Sequence, residues 1–143
     1  MTSELEVSIE KTISAPIKSV FEAWLSADAL KEFIRPAPEM EVPKVECDPR
    51  VGGQFLIVMK VGGNELPHHG KYLSIQKYDE IKFTWLSNHV REDSVVTLRF
   101  SEITENETKI HLHHIGFPSQ GSKDDHEGGW GRILDTLGLF SRS

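Results

Sequence analysis

The stretch that decides the fold is Ile13-Ser14-Ala15-Pro16-Ile17-Lys18-Ser19-Val20-Phe21-Glu22-Ala23-Trp24-Leu25, because the hydrophobic period changes inside it. Before this change, from Leu5 to Ile13, apolar and polar residues alternate, which predicts a β-strand. After it, apolar residues recur at i, i+3, i+4, i+7 and i+8, which predicts an amphipathic helix. Ser14 is able to cap free N–H groups of that helix, and Pro16 fits its first turn.

A second short helix is predicted directly after the first one. Ser26 is a suitable cap, and Leu30, Phe33 and Ile34 supply the apolar positions. Pro36 and Pro38 end the helix, because proline cannot continue it. They begin a proline-rich passage over residues 36–49 for which the sequence predicts no strand. Whether this passage forms a mobile lid stays open at this point.

Five further stretches with alternating apolar residues predict five more strands. Polar turn sequences, such as Gly62-Gly63-Asn64, separate several of them. The connections are too short for parallel crossovers, so we expect an antiparallel meander. The stretches are Phe55–Lys60, Tyr72–Ile75, Ile81–Trp85, Val95–Phe100 and Ile110–His114.

The last segment returns to a helical period, since Trp130, Ile133, Leu134 and Leu137 lie at i, i+3, i+4 and i+7. Glycines interrupt this helix, and each costs about 1 kcal/mol relative to alanine. We expect glycines in a helix where the helix packs closely on a neighbouring element or must leave space beside it. We therefore predict an α+β domain over residues 1–143 in the order β-α-α-β-β-β-β-β-α.

Composition excludes several classes of function. The formal net charge is −6 and no basic run offsets it, which argues against nucleic-acid binding. A single cysteine, Cys47, rules out an internal disulfide and a cysteine-based zinc site. The N-terminus lacks the features of a signal peptide. The sequence also contains no run of 18 consecutive apolar residues, the length needed to span a membrane. We expect a cytoplasmic protein.

Seven short motifs are distributed along most of the chain. They are Ile13–Pro16, Val20–Trp24, Arg50–Phe55, His69–Ile75, Ile81–Trp85, Leu112–Pro118 and Gly129–Trp130. In this order they resemble the START-like (Bet v 1-like, SRPBCC) superfamily, and more closely the family of homologues of the activator of the heat-shock-protein-90 ATPase. The resemblance extends from about Ile9 to Leu137. It implies a helix-grip fold, in which a curved antiparallel sheet wraps around a long C-terminal helix and leaves a cavity between them.

The inward rows of the predicted strands and helices supply candidate cavity residues. Ligand pockets are mostly apolar, with a few polar groups that orient the ligand. We therefore expect a small hydrophobic or amphipathic ligand and no cofactor; the alternative is that these side chains simply fill a core. The candidates are Trp24, Phe33, Phe55, Tyr72, Phe83, Trp85, Val96, His114, Trp130 and Leu134.

Two other functions stay open. The first is a cavity enzyme of the cyclase or hydrolase type, in which His114 titrates near physiological pH and works with Glu39 or Glu41. The second, which the family resemblance suggests, is an interaction module for a chaperone partner. We expect no metal site, because His68, His69 and His114 would meet only across the concave face of the sheet.

Overall fold

The computed structural model describes residues 5–37, 39–88 and 90–142, and these form seven strands and three helices. Pro38 lies outside the described residues. The elements are β1 (Glu6–Ile13), α1 (Ile17–Ala23), α2 (Ala27–Phe33), β2 (Glu41–Cys47), β3 (Gln54–Val61), β4 (Asn64–Gln76), β5 (Glu80–Thr84), β6 (Val95–Thr104), β7 (Glu107–Ile115) and α3 (Gln120–Arg142).

The strands form one antiparallel sheet in the order β1-β7-β6-β5-β4-β3-β2. The α+β class, the curved antiparallel sheet and the long C-terminal helix are confirmed. The sheet contains one strand more than the sequence predicted, because Glu41–Cys47 pairs with β3. Only Val42 of this edge strand is buried, and Pro43 lies where the register shifts, so no alternating pattern is visible in its sequence.

Strand β4 joins the two halves of the sheet. Residues 64–71 pair with β3, and residues 72–76 pair with β5, with a register shift after Tyr72. Gly70 lies at this junction, where a Cβ atom would overlap the carbonyl oxygen of Thr84 and lie 2.7 Å from the Phe55 ring. Only glycine allows the three strands to approach this closely.

The first two helices differ in how they begin. Helix α1 has Pro16 at its N-cap and no side-chain cap, so the expectation that Ser14 caps it is wrong. The preceding corner is held instead by the buried Thr108 hydroxyl, which donates to the carbonyl oxygen of Ala15 at 2.9 Å. In α2 the predicted cap is confirmed, since Ser26 Oγ accepts from the Ala29 N–H at 3.2 Å.

Helix α3 begins ten residues before Trp130, and Ser119 Oγ accepts from the Ser122 N–H at its start, at 3.1 Å. Its predicted apolar stripe is buried in the core. None of the helices in the described part of the chain is long and apolar enough to cross a membrane.

Three glycines in the middle of α3 have different surroundings. A Cβ atom on Gly129 would lie 3.1 Å from Pro36 Cβ, so this glycine permits close packing of the segment before β2. A Cβ atom on Gly131 would meet nothing within 4 Å, and one on Gly128 would meet only the flexible guanidinium of Arg132. The expectation of close packing therefore holds for one of the three.

We predict that Gly131→Ala and Gly128→Ala each raise the free energy of unfolding by about 1 kcal/mol, because alanine restricts the unfolded chain and suits a helix interior. Gly129→Ala should gain less or destabilise, since Pro36 must move. Urea unfolding of the three variants tests this order. A loss of stability in Gly131→Ala would contradict it.

Candidate functional site

A cavity of about 610 Å³ lies between the inner face of the sheet, helix α3 and the segment that leads into β2. Its volume falls within the range of small-molecule sites. The lining residues are Pro36, Met40, Met59, Leu66, His68, Trp85, Asn88, Pro118, Ser119, Ser122, Asp125, His126, Gly129, Trp130 and Ile133.

The inner wall of the cavity is apolar and its mouth is polar. Met59, Trp85, Trp130 and Ile133 are all at most 2 % exposed. The exposed lining residues Asn88, Pro118, Ser119 and Asp125 come from loops and the first turns of α3. This gradient suits an amphipathic molecule whose apolar part is inside.

Two tryptophans and a histidine form the aromatic part of the wall. The ring centroids of Trp85 and Trp130 are 5.0 Å apart, with their planes at 56°. His68 also packs against the Trp85 ring, with a centroid distance of 4.9 Å and an interplanar angle of 30°. Strand β4 positions His68, α3 positions Trp130, and Trp85 directly follows β5.

Only two of the ten candidate residues, Trp85 and Trp130, line this cavity. Four more, together with Trp85, surround a separate internal space of about 10 Å³, which is at most large enough for one water molecule. These four are Trp24, Phe55, Tyr72 and Phe83.

The remaining four candidates, Phe33, Val96, His114 and Leu134, are buried and line neither space. Of these four, His114 supports the cavity wall directly, because it accepts a hydrogen bond from Trp130. Val96 pairs with His114 across β6 and β7, and the Phe33 ring packs edge-on against Trp24 at 5.0 Å.

Tyr72 is the titratable residue among those that line the small space, and burial raises the pKa of its hydroxyl group. Burial also raises the pKa of the neighbouring Cys47 thiol, which donates to the carbonyl oxygen of Leu25 at 3.7 Å. A thiol with a raised pKa is a poor nucleophile at neutral pH. The structure therefore gives Cys47 a packing role.

His114 uses both ring nitrogens inside the core. Its Nδ1 accepts from Trp130 Nε1 at 3.0 Å, so in the neutral ring the proton is on Nε2 and is donated to Ser94 Oγ at 2.7 Å. Burial, with smaller effects from His126 and His113, lowers the pKa of His114 to about 3. The expectation that it titrates near physiological pH is therefore wrong.

This geometry does not favour His114 as a general acid or base. Glu39 and Glu41 are exposed, whereas His114 is fully buried and bonded to Ser94 and Trp130. His68 and His69 are consecutive in β4, and only His68 is on the buried side. Within residues 5–37, 39–88 and 90–142, no group of three or more histidine, cysteine or carboxylate side chains could hold a metal ion.

Several lining residues were not among the sequence candidates. Alternation along β4 carries a signal for Leu66 and His68, which share the inward register of Tyr72. Ile133 belongs to the apolar stripe of α3, and Met59 belongs to that of β3. Met40 has no signal, because it lies in an irregular segment.

We predict that the pH dependence of stability identifies the buried neutral state of His114. Unfolded histidine titrates near 6.5, so between this pH and about 3 the unfolded chain binds a proton that the folded chain does not. The free energy of unfolding should therefore fall as the pH is lowered, by roughly 1.5 kcal/mol from pH 6.5 to 5 for this residue. Urea unfolding at several pH values measures it.

The variant His114→Gln isolates this contribution, since glutamine hydrogen-bonds but does not titrate. It should be less stable than the wild type at pH 8, yet lose less stability between pH 6.5 and 5. Ile110→Val, a buried substitution in the same strand that removes no titratable group, is the control and should lower the stability while keeping the wild-type slope. Parallel profiles for wild type and His114→Gln would contradict the assignment.

Comparison with known proteins places this geometry in a family. Residues 14–139 match the family model described as "Activator of Hsp90 ATPase homolog 1-like protein". A search of curated proteins finds no match.

Solved structures share the fold at low sequence identity. Protein CV1439 from Chromobacterium violaceum is 22% identical, covers 97% of this chain and 98% of its own, and has a TM-score of 0.88. The AHSA1-like protein from Aeromonas hydrophila is 20% identical, with coverage of 96% and 92% and a TM-score of 0.81. PFC0360w, an HSP90 activator from Plasmodium falciparum, is 24% identical, with coverage of 94% for both chains and a TM-score of 0.74. This chain has the fold of these structures and belongs to the AHSA1-like family.

Proposed function

We propose that this protein binds a small hydrophobic or amphipathic molecule in the cavity between the sheet and α3. The observation that carries the proposal is the cavity of about 610 Å³, whose inner wall is formed by Met59, Leu66, Trp85, Trp130 and Ile133. A concave space of this size with a mostly apolar inner wall is typical of small-molecule sites.

The amphipathic lining supports this proposal. An apolar guest gains about 25 cal/mol for each Å² of its apolar surface that leaves water. The polar mouth, with Asn88, Ser119 and Asp125, is placed to meet a polar end of the same molecule. Binding of this kind requires no catalytic group. Both ring nitrogens of His114 are already hydrogen-bonded, to Ser94 and to Trp130. The cytoplasmic location stays a prediction from the sequence.

We predict that native mass spectrometry of the purified protein detects an added mass of roughly a few hundred daltons, as expected for a ligand that fills such a cavity. The added mass should disappear after denaturation, because the site exists only in the folded chain. A clean apo mass that persists after incubation with a cell lipid extract would contradict the proposal.

A matched pair of variants tests whether the cavity is the binding site. Leu66→Trp places an indole in the cavity, whereas Glu65→Trp places the same group on the exposed face of the same strand. We expect Leu66→Trp to lose the bound mass and Glu65→Trp to keep it. A ligand at a hundred times its Kd adds about 2.7 kcal/mol of stability, which raises Tm by roughly 5–10 °C. Only Glu65→Trp should keep this shift.

Interaction with a chaperone is a second candidate function. The description of the matching family model supports it, and one structural neighbour is called an HSP90 activator. The test is to add the purified chain to the Hsp90 of the same organism and measure ATP hydrolysis. A rate that rises with the concentration of the chain supports this function, and an unchanged rate, with no complex on analytical ultracentrifugation, contradicts it.

A further inference from the structure

Asp125 carries the one carboxylate among the described residues that line the cavity, and no lysine or arginine lies among them. The residue is exposed at the mouth, and its side chain forms no hydrogen bond or ion pair with any residue that the structure describes. A bound molecule and the solvent can therefore both reach this carboxylate.

The helical phase of α3 turns Asp125 toward the cavity. The residues of this helix that line the cavity recur at i, i+3, i+4, i+7, i+8 and i+11, so they form a single stripe on its surface. They are Ser122, Asp125, His126, Gly129, Trp130 and Ile133. At 1.5 Å per residue, Asp125 lies about 12 Å along the helix axis from Ile133 of the buried inner wall. A molecule whose apolar part contacts Ile133 thus has its outer end near Asp125.

An anionic end would be unfavourable at this mouth. It would be repelled by Asp125, and the basic side chains nearby on α3 are engaged elsewhere. Lys123 binds Glu127 at 2.7 Å, and Arg132 donates to the carbonyl oxygen of Pro36 at 3.3 Å. A carboxylate or phosphate on the ligand would lose hydration without gaining a cationic partner.

The start of α3 does not supply an anion site instead. Ser119 Oγ accepts from the Ser122 N–H, and the carbonyl oxygen of Ser119 accepts from the Lys123 N–H, both at 3.1 Å. Asp124 and Asp125 follow directly, so the first turns of the helix already carry negative charges that suit its dipole. A further anion would be placed beside two carboxylates.

A hydroxyl group matches the mouth better than a charged group does. The amide of Asn88, which is also exposed at the mouth, donates and accepts hydrogen bonds, whereas the carboxylate of Asp125 only accepts them. A hydroxyl group can donate to Asp125 and accept from Asn88. An ammonium group would gain little from Asp125, because ion pairs in contact with water contribute little.

We infer that the ligand is an amphiphile whose polar end is an uncharged hydroxyl group, and that Asp125 selects this end by accepting its hydrogen bond and by repelling anions. The inference rests on the proposed function, since it specifies the chemical class that the same cavity binds. Asp125 is then the specificity-determining residue, and the apolar walls supply most of the binding free energy.

The test uses three probes that share one alkyl tail and differ in the polar end: 1-decanol, decanoate and decylamine. Equilibrium dialysis at pH 8, where unperturbed histidine is neutral, gives their Kd. We expect the wild type to bind 1-decanol most tightly. The preference for 1-decanol over decanoate should fall about fivefold in Asp125→Asn, because asparagine keeps the shape of the side chain and removes its charge.

Asp124→Asn is the matched control, since it changes the net charge by the same amount one residue away. Asp124 does not line the cavity, and its carboxylate accepts from Gln120 Nε2 at 2.9 Å. This variant should keep the wild-type preference. Because both aspartates are exposed, neither change should disturb folding. The inference is overturned by an unchanged preference in Asp125→Asn, by an equal loss in both variants, or by wild-type binding of decylamine that is tighter than that of 1-decanol.

A second readout does not depend on these probes or variants. If native mass spectrometry of the purified protein detects a bound molecule, its chemical identity decides the matter. A hydroxyl compound without a charged group supports the inference, and a carboxylic acid, a phosphate or an amine overturns it while leaving the binding proposal intact. If none of the three probes binds and the protein stays free of ligand after incubation with a cell lipid extract, the proposed function fails as well.

Discussion

The hydrogen bond from Trp130 to His114 fixes where α3 lies on the sheet. It belongs to a connected set of contacts, because His114 also bonds to Ser94 Oγ, and the carbonyl oxygen of Ser94 accepts from the backbone N–H of Trp85 at 3.1 Å. The Trp85 ring then packs against Trp130 at 5.0 Å. Buried hydrogen bonds are directional and costly to break, so this set holds α3 and three strand ends at one separation. Gly116, which follows β7 with φ of +100°, is part of the same constraint, since a Cβ atom there would lie 2.9 Å from Ser94 Cβ and closer still to its backbone.

The cavity is a consequence of this fixed separation. Helix α3 packs against β1 and α2, while Trp130 and Ile133 of its apolar stripe line the cavity together with residues of β3 and β4. Gly70 and the register shift after Tyr72 change the local course of β4 at this point, as bulges do. The segment before β2 closes the space, because Gly129 lets Pro36 approach the helix. Glycines lower the helix propensity of α3, but Gly129 has a structural role, because it lies where the segment before β2 meets the helix at the wall of the cavity.

The sequence predicted the fold better than the site. Stretches with an alternating or a helical period were enough to predict the three helices and six of the strands, because those elements bury one regular face. Strand β2 was missed, since an edge strand that buries only Val42 has no such face. For the site, alternation correctly separated inward from outward residues, but it does not distinguish a side chain that fills a core from one that borders a space. This is why Phe33, Val96, His114 and Leu134 were grouped with Trp85 and Trp130, while Met40, whose position depends on an irregular segment, was not found.

The three tryptophans show what the fold adds to such a list. In the sequence they are equal, each with one N–H donor and one aromatic face. In the structure the indole N–H of Trp130 donates to His114, so only the ring of Trp130 is available to the cavity. Trp24 borders the small space and does not line the cavity. Trp85 borders both spaces with its ring, and its buried indole N–H has no hydrogen-bond partner among the residues that the structure describes. No lysine or arginine is among the described residues that line the cavity, so binding there would depend on shape and apolar contact rather than on an ion pair. Because salt screens ion pairs and leaves such contacts largely unaffected, recognition of this kind is nearly independent of ionic strength.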